Sequence, residues 1–126
     1  MRLLTTLLIL FVAVIALGFW TNHQLTVSAD ELLLDVDRIH GQIDAENWDS
    51  ASEHTEALER NWDRRGKWWP ALLDHEEIDN IDFAIAKNKE YIAERNTPLA
   101  LGQLSEIRQM IKHIPEKGTI NLTNIF

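Results

Sequence analysis

The residues with the most capacity for chemistry stand together as Asp74-His75-Glu76-Glu77-Ile78-Asp79-Asn80-Ile81-Asp82. Five carboxylates and one imidazole fall within these nine residues, with no lysine or arginine among them. On a helix His75, Asp79 and Asp82 share a face, a spacing at which one imidazole and two carboxylates can meet a metal ion. The zinc-protease pattern His-Glu-x-x-His is matched only as far as His75-Glu76-x-x-Asp79, because the second imidazole is missing. A di-iron bundle asks for paired Glu-x-x-His motifs and two further glutamates, and Asp37-x-x-His40 is the single near match. A plainer account fits the same run, since acids in the first turns of a helix gain from its dipole. An antiparallel neighbour would also bring Arg60, Arg64 or Arg65 alongside Asp74 and Glu77. No serine-histidine-acid constellation, glycine-rich phosphate loop or nucleophile elbow occurs. The chain is therefore read as non-enzymatic and without a cofactor, with metal binding by His75, Asp79 and Asp82 as the alternative.

Just upstream runs Trp62-Asp-Arg-Arg-Gly-Lys-Trp-Trp-Pro70, which holds three of the five tryptophans and three basic residues around a glycine. Trp62 and Trp69 fall on a helical seam and are expected in the core. Trp68 is out of phase with that seam. With Arg65 and Lys67 it makes a candidate membrane-interface group, in which cations meet anionic head groups and an indole sits at the boundary.

Four helical segments are needed to position these residues. Leu25, Ala29, Leu32, Val36, Ile39 and Ile43 recur at alternating steps of four and three, the signature of a helix seam. Trp48, Ala51, Thr55, Leu58 and Trp62 repeat the period in a second segment, with Asn47 or Asp49 as its cap. A third segment is expected to start near Trp69 with Pro70 in its first turn. Its stripe is Ala71, Ile78, Ile81, Ile85 and Ile92, widened by Leu73, Ala84 and Tyr91. Leu72 and Phe83 lie on the opposite side, flanked by Glu76 and Asp79. Thr97 then caps a fourth helix with Pro98 at its first position, burying Ala100, Leu104, Ile107, Ile111 and Ile114. Pro115 to Gly118 reads as a turn, followed by a short strand or packed coil. The expected fold is all-α, an up-down-up-down antiparallel four-helix bundle.

Leu3 to Trp20 carries no charge, and Thr21 to Leu25 can extend this run to the length that crosses a bilayer. The run exceeds the apolar core of a usual signal peptide, although Val27-Ser28-Ala29 has small residues suited to cleavage. The expectation is an uncleaved anchor over residues 1–24, with Trp20 at the far interface, the bundle over 25–114, and a tail over 115–126 packed on it. Arg2 is the only basic residue before Arg38, which sets the amino-terminal end in the cytoplasm and the bundle outside, a single-pass membrane protein. A second helix of about 20 residues descends roughly 30 Å, which returns Arg64 to Pro70 to just above the bilayer.

The whole chain has 12 basic and 20 acidic residues and no cysteine. Removing Arg2 leaves 11 against 20 beyond residue 29, a net of −9. Such a domain repels nucleic-acid phosphates, and without thiols it has neither a disulfide framework nor a thiolate metal site.

Asn47-Trp48, the run from Trp62 to Trp69, Asp74-His75-Glu76-Glu77-Ile78-Asp79, His113-Ile114-Pro115-Glu116 and the stretch from Leu122 to Phe126 resemble the uncharacterised bacterial family called domain of unknown function four-three-six-three. The resemblance covers nearly the whole chain. It implies a small, membrane-anchored helical protein of Gram-positive bacteria, associated with a small integral membrane protein. It carries no activity and therefore no catalytic residue. Beside membrane lipid, the expected partner surface joins Trp68, Leu72, His75, Glu76, Asp79 and Phe83, an apolar pair among acids that a lone bundle has no reason to expose.

Overall fold

The computed structural model describes residues 1–66, 69–71 and 73–125. Four α-helices account for most of the described residues: α1 Arg2–Asp44, α2 Trp48–Arg65, α3 His75–Ala93 and α4 Thr97–Ile125, with a single 3-10 turn at Trp69–Ala71 between α2 and α3. No strand occurs among the described residues. The helices form an all-α bundle in which α1 packs on α2 and α4, α4 packs on α3, and the α2–α3 seam is the least extensive of the four.

The seams expected from the heptad spacing form the core. Leu25, Ala29, Leu32, Val36, Ile39 and Ile43 of α1 are buried against Ala51, Leu58 and Trp62 of α2 and Ala100, Leu104, Ile107, Ile111 and Ile114 of α4. Trp69, Leu73, Ile81, Ala84, Ile85 and Ile92 complete it, while Ile78 and Tyr91 are half-buried at its edge. Ala71 supplies backbone to the 3-10 turn. α1 needs no joint between its apolar and outer parts, because nothing from Arg2 to Asp44 removes a backbone donor or favours an open turn strongly enough to stop it. It contains an 18-residue window apolar enough to cross a membrane, none of which is buried.

The two connections at the far end of the bundle are built alike. After α1, Asn47 N–H donates to the Gln42 carbonyl at 2.9 Å and Glu46 N–H to that of Ile43 at 3.0 Å. After α3, Asn96 N–H donates to Tyr91 at 2.9 Å and Arg95 N–H to Ile92 at 3.0 Å. Each is the paired-bond motif that satisfies the orphan carbonyls of a helix end, and it needs a left-handed residue outside the helix. Glu46 (φ 58°) and Arg95 (φ 57°) take that role, although neither is glycine or asparagine.

Three expected boundaries are corrected. α3 does not begin near Trp69: the chain makes one 3-10 turn, and Asp74 in extended conformation (φ −68°, ψ 145°) caps a helix that starts at His75. The cap of α4 is Asn96, whose Oδ1 accepts from Leu99 N–H at 3.2 Å, so Thr97 is already helical. The expected turn at Pro115 to Gly118 is instead helix, and α4 continues to Ile125. Proline lacks a donor and crowds the preceding turn, which bends a helix as readily as ending it.

Candidate functional site

The chemistry-bearing residues are set by two features, the polar seam between α2 and α3 and the outer face of α3. In the seam, Trp62 Nε1–H donates to Asp82 Oδ1 at 2.6 Å, tying the core indole of α2 to the rim of α3. Trp62 also meets Trp69 edge to face, with ring centroids 4.6 Å apart and planes at 79°. Lys89 Nζ donates to both carboxylate oxygens of Glu59, at 3.2 and 3.3 Å. Asp63 stands among these groups. Burial, and then the negative charges of Glu59 and Asp82, push its pKa above the ordinary carboxylate value, against the opposing pull of Lys89.

A second polar tie joins α1 to α2. The Asp35 carboxylate is buried at 4% exposure and accepts from Asn61 Nδ2 at 2.6 Å and from Arg38 Nη1 at 3.3 Å. One turn on, Arg65 donates to the Asn61 carbonyl at 3.0 Å and pairs with Glu31. This candidate interface cation therefore binds a carboxylate of α1, whereas Arg60, Arg64 or Arg65 was expected alongside Asp74 and Glu77. Lys67, Trp68 and Leu72 lie outside the described residues. Trp20 is exposed on α1.

On the outer face of α3, His75, Glu76, Asp79 and Asp82 are exposed. Phe83 is 66% exposed on the side away from the core stripe. Helical spacing sets it beside Glu76, Asp79, Lys87 and Glu90, so an aromatic ring stands in a mainly acidic field. The candidate triad His75, Asp79 and Asp82 shares one side of α3, but Asp82 is held by the Trp62 indole. Among the described residues, no three imidazole or carboxylate groups are grouped to hold a metal ion.

Between α3 and the lower part of α4 lies an open cleft of ≈ 150 Å³, walled by Ile81, Met110 and Ile114 and edged by Glu77, Asn80 and His113. It is smaller than the roughly 300 Å³ at which small-molecule pockets begin.

Two residues of consequence were not singled out by sequence. Asn88 is fully buried on the stripe of Ile81, Ile85 and Ile92, and neither its Nδ2 nor its Oδ1 has a hydrogen-bond partner. Asp35 sits next to Val36 on the α1 seam. In both cases the signal was present as a polar residue in phase with an apolar stripe.

Neither curated proteins nor solved structures give a match to the chain. A family model, described as domain of unknown function (DUF4363), matches residues 19–125. That span takes in the outer part of α1 and all of α2, α3 and α4, and the chain belongs to this family.

Proposed function

We propose that this chain is a membrane-anchored accessory protein that docks on an integral membrane protein through the outer face of α3. The observation that carries the reading is the exposure of Phe83 among Glu76, Asp79 and Glu90, on the side of α3 opposite the stripe that the bundle buries. A large aromatic ring held in water gains about 1.5–3 kcal/mol when covered, which makes it an anchor for a complementary surface. The surrounding carboxylates select a partner that presents lysine or arginine around an apolar pocket. Setting α1 across the bilayer, with Arg2 on the cytoplasmic side, confines the bundle to the outer surface. That places the α3 face alongside neighbours in the same membrane.

The test is photocrosslinking in native membranes from benzoyl-phenylalanine placed at position 83, with a second probe at Glu53 on α2 as the control. A single integral membrane protein captured from position 83 and not from 53, and lost with Glu76→Lys and Asp79→Lys, is the expected result. Equal capture from both positions, or capture indifferent to the charge reversals, rejects the docking face.

A further inference from the structure

We propose that the cleft between α3 and α4 takes a single apolar side chain from a basic, water-exposed segment of the partner that covers Phe83. This rests on the reading of the Phe83 face as a docking surface, and it specifies which part of the partner docks. Phase on α3 joins the two features. Glu76, Asn80, Phe83 and Lys87 follow one another at steps of four, three and four, which makes them one stripe along the helix. Asn80 also edges the cleft, with Glu77 beside it and Met110 and His113 of α4 across from it. The Phe83 ring and the cleft are therefore neighbours, with Asn80 between them. Asp82 and Lys89, which bond to Trp62 and Glu59 of α2, mark the other flank of α3. The docking face is turned toward α4 and away from the polar seam.

The cleft suits one side chain. Its ≈ 150 Å³ is too small for a cofactor or metabolite, yet a cavity of about that volume takes a benzene-sized group. Its floor is Ile81 and Ile114, both buried. One wall is the half-buried Met110, whose unbranched thioether adapts to the shape it meets. A leucine or phenylalanine side chain matches that lining. Around it stand Glu76 and Glu77 of α3 and, one turn before Met110, Glu106 of α4, against the single cation Lys87 of the stripe. Charge complementarity therefore asks for lysine or arginine on either side of the inserted residue.

Height above the bilayer distinguishes the possible occupants. The contacts of Asn61 with Asp35 and of Arg65 with Glu31 set α2 antiparallel to α1. Those of Trp62 with Asp82 and of Glu59 with Lys89 set α3 antiparallel to α2. α4 then runs back beside α1, and Arg108 Nη1 pairs with Asp37 Oδ1 at 2.6 Å. Met110 and Ile114, two and six residues beyond Arg108, are level with Asp35 and Glu31, which lie 15 and 11 residues beyond Trp20. With Trp20 at the outer interface, the cleft stands about 16–22 Å above it. Acyl chains do not reach that level, and neither does the membrane-buried part of a neighbour. The occupant is a segment that rises from the partner into water.

The test places benzoyl-phenylalanine at position 113 of the full chain, in native membranes, beside the probe at position 83, and sequences the crosslinked peptides. The expected result is that both positions capture one integral membrane protein, and that the peptide caught from 113 lies outside the bilayer and carries lysine or arginine. A second arm closes the cleft with Asn80→Trp. Asn80 is exposed, so the indole covers the cleft from its rim without entering the core. Capture from position 83 should fall about ten-fold, the worth of one buried apolar side chain. Ala86→Trp, also exposed and also one turn from Phe83 but on the opposite flank, should leave capture unchanged. Thermal unfolding followed by circular dichroism confirms that each variant is folded. Capture from 83 with none from 113, or undiminished capture in Asn80→Trp, overturns the cleft and leaves the docking face standing. A crosslink from 113 to a membrane-buried helix, to lipid or to a second copy of this chain also overturns it. If neither position captures a protein, the docking face falls and this inference falls with it.

Discussion

Replacing Asn88 by leucine is expected to make the protein more stable, contrary to the usual effect of a core substitution. The amide of Asn88 is at 0% exposure with both polar atoms unpartnered. Leaving such a group dry and unpaired costs about 1–3 kcal/mol relative to water. Leucine removes that penalty and buries an aliphatic side chain, gaining a further 1.5–3 kcal/mol or so. Its branched end is bulkier than the amide, and crowding returns about 1–3 kcal/mol of the gain. The net expectation for Asn88→Leu is a stabilisation of about 2 kcal/mol, or roughly 10 °C in Tm for a domain of this size. The assay is urea unfolding of the full chain in detergent, followed by tryptophan emission, with the slope m checked for constancy so that the midpoint reports stability. A variant equal to or weaker than the parent at constant m refutes the reasoning, because the amide must then be satisfied, for example by a buried water. A polar residue on a seam can also fix register at a cost in stability. Loss of a single well-ordered state in the more stable Asn88→Leu protein would identify that role.

The remaining predictions concern the polar seam and the turns. The raised pKa of Asp63 means that the folded state holds its proton more tightly than the unfolded chain. Its ionisation therefore opposes folding above the folded pKa, and stability is regained as pH falls through that value toward the unfolded one. Asp63→Asn should accordingly raise the midpoint at pH 7, with the advantage shrinking as the pH falls through the folded pKa; an advantage that grows on acidification contradicts the assignment. Glu46→Gly and Arg95→Gly should each stabilise by about 1 kcal/mol, because both positions are left-handed and glycine has no Cβ to strain there. The same unfolding curves measure both, and a loss in either variant would show that the parent side chain makes a contact worth more than the strain.

The periodicity made most of the bundle legible. Seam positions from Leu25 to Ile43 and from Ala100 to Ile114 are buried as their spacing required, because burial of a stripe depends on phase, which a sequence displays directly. Helix ends depend on local hydrogen bonds, which it displays poorly. Pro70 was expected in the first turn of a helix and Pro115 in a turn, yet the first lies in a 3-10 turn and the second inside α4. The candidate site was partly legible. The exposure of Phe83 followed from its phase opposite Ile81 and Ile85. The bond from Trp62 to Asp82 did not follow, since it joins residues 20 apart on facing helices. The polarity of Asn88 favours the surface and its phase with Ile85 and Ile92 favours the core, and phase prevails.

The unbroken course of α1 has a mechanical consequence. A helix with no joint behaves as a lever, and Asp44 stands 24 residues beyond Trp20, about 36 Å along the axis. Transmembrane helices commonly tilt by about 20° to match the thickness of their bilayer. With α1 spanning the bilayer as proposed, a tilt of that size pivoting near Trp20 would sweep the far turns of the bundle sideways by about 12 Å, and the packing of α2 and α4 on α1 would carry α3 with them. On that proposal, bilayer thickness becomes a coordinate that sets where Phe83 points.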